Sequence, residues 1–190
     1  MLIISLIGSP RPQGNSAVLS TRLVEKARHR GARTETFFLN QLSYRGCQAC
    51  LACKTGSDRC VLKDDLTEVL EAVRKADVLI LSTPVFFSEV SSQMKAFLDR
   101  TFSFLVPDYM TNPQKSRLQP GKKLVFIQSQ GDPDEKSHSD IYPRYEVFFR
   151  WYGFEENHLI RVCGKMEPGS VEQDSELLAR VENTAELLFG

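Results

Sequence analysis

Five short runs rich in β-branched and apolar residues recur along the chain, each followed by a segment long and amphipathic enough for a helix. This alternation constrains the fold more than any other feature. Strands joined through helices run parallel, because each helix carries the chain back along the sheet before the next strand begins. The reading places strands at Leu2–Ile7, Arg33–Leu39, Val78–Thr83, Lys123–Ser129 and His158–Cys163. It places helices at Ser16–His29, Leu66–Lys75, Val90–Phe104, Asp140–Tyr152 and Val171–Leu188. The expected product is an α/β fold, a three-layer αβα sandwich around a five-stranded parallel sheet. At 190 residues, with no internal repeat and no linker, residues 1–190 read as a single domain.

Charge narrows the partners. Lys plus Arg number 24 and Asp plus Glu number 24, so no global field concentrates the protein on nucleic acid or an anionic membrane. A small-molecule partner is expected, with no nucleic acid and no membrane. The apolar run Leu2–Ile7 lacks the basic flank of a signal peptide and passes into Gly8-Ser9-Pro10-Arg11, so it reads as a buried strand. No stretch approaches the ~20 apolar residues that cross a bilayer, and a soluble, cytoplasmic protein is expected.

After the first strand comes Gly8-Ser9-Pro10-Arg11-Pro12-Gln13-Gly14-Asn15-Ser16, with a helix beginning at its end. A loop so placed aims free backbone N–H groups and the positive end of a helix dipole above the sheet, which makes an anion site. Ser9 and Ser16 can donate hydroxyl bonds, Arg11 can add charge, and Gly14 lets the backbone approach a ligand closely. Neither the Gly-Lys-Ser/Thr of a nucleoside-triphosphate loop nor the G-x-G-x-x-G of a dinucleotide fold is present, and a terminal monophosphate suits what remains. An ordinary helix cap at Asn15 or Ser16 is the other reading.

The third strand leads into Thr83-Pro84-Val85-Phe86-Phe87-Ser88. In a doubly wound sheet this loop shares the carboxyl edge with the first, so the two can grip one ligand. Pro84 is expected to fix the turn. Val85 to Ser88 offer backbone polar groups for ring heteroatoms, and Phe86 or Phe87 offers a face for a flat ring, with at least one of the two expected in the core.

Together, Gly-Ser-Pro-Arg-x-x-Gly-Asn-Ser and Thr-Pro-Val-Phe-Phe-Ser-x-x-Ser-x-Gln-Met-Lys-Ala-Phe-x-Asp-Arg resemble the flavodoxin-like NAD(P)H-dependent FMN reductase superfamily. The resemblance implies strand order 2-1-3-4-5 and an FMN cofactor. It implies phosphate contacts near Ser9, Arg11, Asn15 and Ser16, and isoalloxazine contacts from Pro84, Val85, Phe86, Phe87 and Ser88. By the same analogy the third loop, with Ser129 and Gly131, approaches the ring.

Between the second strand and the next helix lies a long connection, Gln41–Asp64, holding Cys47-x2-Cys50-x2-Cys53-x6-Cys60. Three cysteines at three-residue steps with a fourth nearby resemble ferredoxin runs and suit a four-iron cluster. Zinc also accepts four thiolates, but usually from two separated C-x2-C knuckles. The run, its place in the fold and the following Lys63-Asp64-Asp65 are similar to the iron–sulfur flavoprotein branch of the superfamily, implying a 4Fe-4S cluster beside FMN. Related reductases carry such runs without a cluster, so cluster-free thiols are the alternative.

The function so implied is an FMN-dependent oxidoreductase passing electrons between the cluster and FMN, and onward to a quinone, an oxygen species or a carrier such as ferredoxin. The alternatives are a cluster-free NAD(P)H-dependent FMN or quinone reductase and a non-enzymatic flavodoxin-like carrier. The family implies a homodimer or homotetramer. No acid–base residue is assigned, because redox chemistry belongs to the cofactor. His29 and His158 read as surface or capping residues, and His138 as a candidate substrate contact. Trp151 and Tyr152 read as packing residues, Asp99-Arg100 as a helix-surface pair, and Cys163 as buried. A second long connection, Leu105–Gly121, is a lid, a partner surface or an inert loop.

Overall fold

The computed structural model describes residues 1–189. Five parallel strands form the sheet in the order β2-β1-β3-β5-β6: β1 (Leu2–Ile7), β2 (Arg33–Phe38), β3 (Val78–Phe86), β5 (Lys122–Ser129) and β6 (Phe154–Val162). With the two-residue β4 (Glu89–Val90) set aside, this is the expected order. The chain reverses direction across the sheet after β2, and the crevice of such a fold opens at the carboxyl ends of β1 and β3.

Period-two alternation decides which residue faces which layer. Ile3, Val78, Ile80, Val125 and Ile127 pack beneath α1 (Asn15–His29) and α6 (Ser175–Phe189), meeting Leu19, Leu23, Leu177 and Val181. Their neighbours Ile4, Leu6, Leu79, Leu81, Leu124 and Phe126 face the other way. There they meet α3 (Leu66–Lys75), α4 (Ser92–Arg100) and α5 (Ile141–Trp151) through Leu66, Val69, Phe97 and Phe149. A sheet covered on both sides explains why its central strands read as unbroken apolar runs. Each fully buried Leu or Ile contributes about 1.5–3 kcal/mol.

Several boundaries depart from the sequence reading. β3 runs on to Phe86 and folds back antiparallel through β4, pairing Val85 with Val90 and Phe86 with Glu89. The turn is made by Phe87 and Ser88, both in the left-handed region at φ +47° and +62°, as a two-residue hairpin requires. Pro84 therefore lies within the strand and does not make the turn. The helix expected from Val90 starts at Ser92, capped by Ser91, whose Oγ accepts from Met94 N. It gives way after Arg100 to a 3-10 turn, Thr101–Phe104. β6 begins at Phe154, four residues early, because Glu155 to Asn157 lie on the sheet's edge strand, where polar side chains are tolerated. A 3-10 turn, Ser170–Gln173, precedes α6.

The connection Leu105–Gly121 is a folded flap. Val106 N donates to Lys115 O at 2.9 Å, and Tyr109 packs edge-on against Phe102 with ring centroids 5.8 Å apart. No helix of the described residues is long and apolar enough to cross a membrane.

Candidate functional site

Three loops meet over the carboxyl ends of β1, β3 and β5. They enclose a concavity of about 280 Å³ lined by Ser9, Arg11, Gly14, Asn15 and Ser16 from the first, Pro84, Val85 and Phe86 from the second, and Ser129 and Gly131 from the third. Phe87 and Ser88 lie outside it, at the hairpin tip, with Phe87 fully exposed. Neither phenylalanine is core, since Phe86 is also 47% exposed.

The first loop is held from within and from below. Ser9 Oγ donates to Arg11 O at 2.9 Å and accepts from Arg11 N at 3.1 Å. Gly8 N donates to Ser82 O, and Ser91 Oγ donates to Gly8 O at 2.7 Å. The cap of α4 therefore also ties down the loop after β1. At Gly8 a Cβ would stand 2.9 Å from both Ser91 Oγ and Met94 Cβ, so only glycine permits this approach. At Gly14 a Cβ would stand 2.6 Å from Ser9 Oγ. The start of α1 carries neither a side-chain cap nor an acidic residue. Its leading N–H groups and its dipole are thus open to an anion at the rim, with the Arg11 side chain exposed beside them.

The Asn15 side chain is engaged elsewhere, which leaves its backbone N–H for the contact expected near it. Its Nδ2 donates to Lys165 O (3.1 Å), Glu167 O (3.0 Å) and Ser170 Oγ (3.3 Å), so its side-chain hydrogens are spent on the connection after β6. That connection adds Lys165, Met166 and Pro168 to the wall, which sequence reasoning missed. Met166 lies so close to Gly131 that a Cβ there would stand 2.7 Å from its Cγ. The available signal was Gly-Lys-Met-Glu-Pro-Gly following a strand of the same sheet, since every parallel strand delivers its outgoing loop to one edge.

The cysteine segment is largely irregular, apart from the single turn α2 (Ala52–Thr55), and its ends are pinned together. Ser43 N donates to Asp65 Oδ2 at 2.6 Å and Arg45 N to Asp64 Oδ2 at 3.2 Å. Lys54 Nζ donates to Phe102 O and Leu105 O, both at 2.6 Å, and lies 4.0 Å from the Phe102 ring centroid. Ala49 and Leu51 sit at φ +51° and +57°, turning the chain so that Cys47, Cys50, Cys53 and Cys60 all line one small concavity. All are free thiols, Cys47 and Cys50 exposed and the other two half-buried. Burial pushes the Cys53 thiol up, Lys54 and Arg117 pull it back, and Cys60 and Cys47 add to the rise.

Among the described residues no three Cys, His, Asp or Glu side chains are grouped as for a metal ion. The concavity is about 30 Å³. Its fit to a multi-iron centre therefore rests on the chemistry of the donor set alone, four cysteines lining one concavity with cationic groups around them. One of those groups is Arg100. Expected on the helix surface, it is wholly buried, while Asp99 faces solvent and pairs with Lys95 at 2.5 Å.

Other residues fall outside both places. His158 pairs with Glu156 at 2.9 Å, and His138 is held through its carbonyl by Gln128 Nε2 at 3.0 Å. Cys163 is only half-buried, at a polar concavity with Arg161 and Glu135, contrary to the buried position expected. Tyr152 is buried and bonded to Thr101 Oγ1 at 2.9 Å, whereas Trp151 lines a groove. That groove, about 810 Å³, runs from Cys47 and Leu51 past Phe102 and Tyr109 to Phe148.

The parallel sheet of order β2-β1-β3-β5-β6, with helices on both faces and three loops gathered at its switch point, defines a flavodoxin-like α/β protein. The model of the NADPH-dependent FMN reductase family matches residues 1–137, and the chain belongs to that family, one of flavin-dependent oxidoreductases. Its relatives include an iron–sulfur flavoprotein of Methanosarcina thermophila, 37% identical over 101 residues (53% of this chain, 52% of that one). Another, from Methanocaldococcus jannaschii, is 36% identical over 101 residues with the same coverage. The chain thus spans about half the length of the curated relatives it matches, and its likeness is to the iron–sulfur flavoprotein branch. Among solved structures, an NAD(P)H:quinone oxidoreductase from Methanothermobacter marburgensis superposes with a TM-score of 0.75 at 17% identity, covering 99% of this chain and 96% of that one. An FMN-dependent NADH-azoreductase from Bacillus anthracis gives 0.73, also at 17%, covering 100% and 99%. At such identities the likeness is one of fold.

Proposed function

We propose that the chain binds FMN in the three-loop concavity and a 4Fe-4S cluster on Cys47, Cys50, Cys53 and Cys60, and that it transfers electrons between them. The observation that carries this reading is the gathering of all four cysteines on one concavity, in a chain of an FMN reductase family whose first, second and third loops line another. FMN supplies two-electron and one-electron chemistry, and a cluster supplies single electrons.

The chain's own part is to bind and orient. The first turn of α1 and the Ser9 to Gly14 loop receive a phosphomonoester, while Pro84 to Phe86 hold a planar ring beside Ser129 and Gly131. Phe87, Val147 and Phe148 are each exposed, and we place a second subunit of a homodimer or homotetramer against these apolar side chains. Reduced NAD(P)H or ferredoxin as donor, and a quinone or oxygen species as acceptor, are the partners in keeping with this chemistry. Five free thiols suit a reducing, cytoplasmic setting.

Protein purified without oxygen should contain FMN with iron and acid-labile sulfide near four per chain. Cys53→Ala should lose the iron and keep the flavin. Metal-free yellow protein that oxidises NAD(P)H would establish the cluster-free reductase instead.

A further inference from the structure

Arg100, the last residue of α4, has no exposed side-chain surface. One arm of its fork is used: Nη1 donates to Arg45 O at 3.0 Å and to Asp64 Oδ1 and Oδ2 at 3.1 and 2.8 Å. The other side is idle, with Nε and Nη2 both buried and without any acceptor among the described residues. A buried donor left unpaired costs about 1–3 kcal/mol, and more when it carries charge. Folded proteins rarely tolerate two on one guanidinium without a use for them.

The use is suggested by position. Arg100 lines the same small concavity as Cys47, Cys50, Cys53 and Cys60, which sit there with apolar neighbours Leu51, Val61 and Phe102. Lys54, half-buried against Phe102, and Arg117 add positive charge around Cys53. Asp64 is the acidic partner of Arg100. Burial pushes the Asp64 carboxyl up, but the Arg100 hydrogen bond and the Arg45 N–H outweigh it and hold it below the usual carboxylate range. The surroundings are therefore built to receive an occupant with net negative charge and sulfur acceptors.

We propose that Arg100 is a positioning residue for the iron–sulfur centre, donating through Nε and Nη2 to its sulfurs and stabilising the reduced state. This rests on the cluster reading above. A four-iron centre on four thiolates is anionic, and the electron it accepts adds negative charge, so hydrogen bonds and a fixed cation raise its reduction potential. Asp64 works against this, and the Arg100–Asp64 pair sets the balance.

The test uses the full chain reconstituted anaerobically with ferrous iron and sulfide, as wild type, Arg100→Gln, Arg100→Lys and Asp64→Asn. Iron and sulfide per chain are measured first. The cluster is then titrated with dithionite, which supplies the single electron. Arg100→Gln should lower the reduced-to-oxidised ratio at a fixed poise about tenfold, a downward shift of about 59 mV for one electron. Arg100→Lys, which keeps the charge and loses the fork, should shift it less. Asp64→Asn should shift it upward, and a residue with a merely structural role would not give opposite signs.

Full iron with unmoved potentials in these variants would overturn the role of Arg100 and leave the cluster standing. Wild type that takes up no iron would overturn both. If Arg100→Gln does not fold, the upward shift in Asp64→Asn supports the proposal, and its absence overturns it.

Discussion

Gly14 shows how one missing carbon shapes the site. A methyl there would collide with Ser9 Oγ, the atom that organises the loop through both Arg11 bonds. Gly14→Ala should leave the fold intact but weaken FMN binding about tenfold, roughly 1.4 kcal/mol, as read by flavin fluorescence titration. An unchanged dissociation constant would show that the loop does not hold the phosphate. Asp64 makes a different kind of prediction. Its folded pKa lies below the unfolded value of 3.8, so its stabilising contribution is full above that value and is lost as pH falls through the folded pKa. Asp64→Asn should therefore destabilise the protein at neutral pH, since it removes the carboxylate partner of the buried Arg100. The gap in denaturant midpoint between the two proteins should narrow as pH falls below the ordinary carboxylate range. A gap independent of pH would mean that the ion pair is not its source.

Elements carry the coupling between loops. Ser91 caps α4, its Oγ holds Gly8 O, and its N–H donates to Thr83 Oγ1 at 3.0 Å. Ser91→Ala should cost about 1 kcal/mol of stability through the lost cap and weaken FMN binding as well, since the first loop loses its tether. Thermal melts with and without FMN separate the two effects, and a stability loss with unchanged affinity would show the tether to be idle. Helices and central strands were legible because apolar periodicity reports burial directly, as in Leu2–Ile7 and Leu66–Lys75. The β3–β4 hairpin was not, because Phe87-Ser88 carries none of the Asn-Gly or Asp-Gly chemistry that announces such a turn. The start of β6 was hidden by Glu155 and Glu156 on an edge strand. The loops after β1 and β3 were recognisable from their motifs. Lys165, Met166 and Pro168 are held at the site by long-range contacts, the Asn15 bonds across 150 residues and the bond from Lys165 N to Gln130 O, which local pattern does not reveal. Arg100 was read as a surface charge because nothing local distinguishes a guanidinium that is buried against a distant carboxylate from one that meets water.

At the scale of the molecule, the sheet sets the three-loop concavity and the cysteine segment on neighbouring parts of one scaffold. α4 joins them, with its cap against the loop after β1 and Arg100 at its last turn lining the concavity of the thiols. Ligand binding to the folded state alone stabilises it by about 2.7 kcal/mol at a hundred times the dissociation constant. FMN at that excess should raise the melting temperature by about 5–10 °C, and no rise would argue against a site in the folded chain. The most direct test of the whole account is one anaerobic visible spectrum of iron- and FMN-loaded protein, recorded before and after dithionite. The account predicts resolved flavin bands over a broad iron–sulfur absorption, both bleaching on reduction. Protein that stays colourless after incubation with excess FMN, iron and sulfide would contradict it.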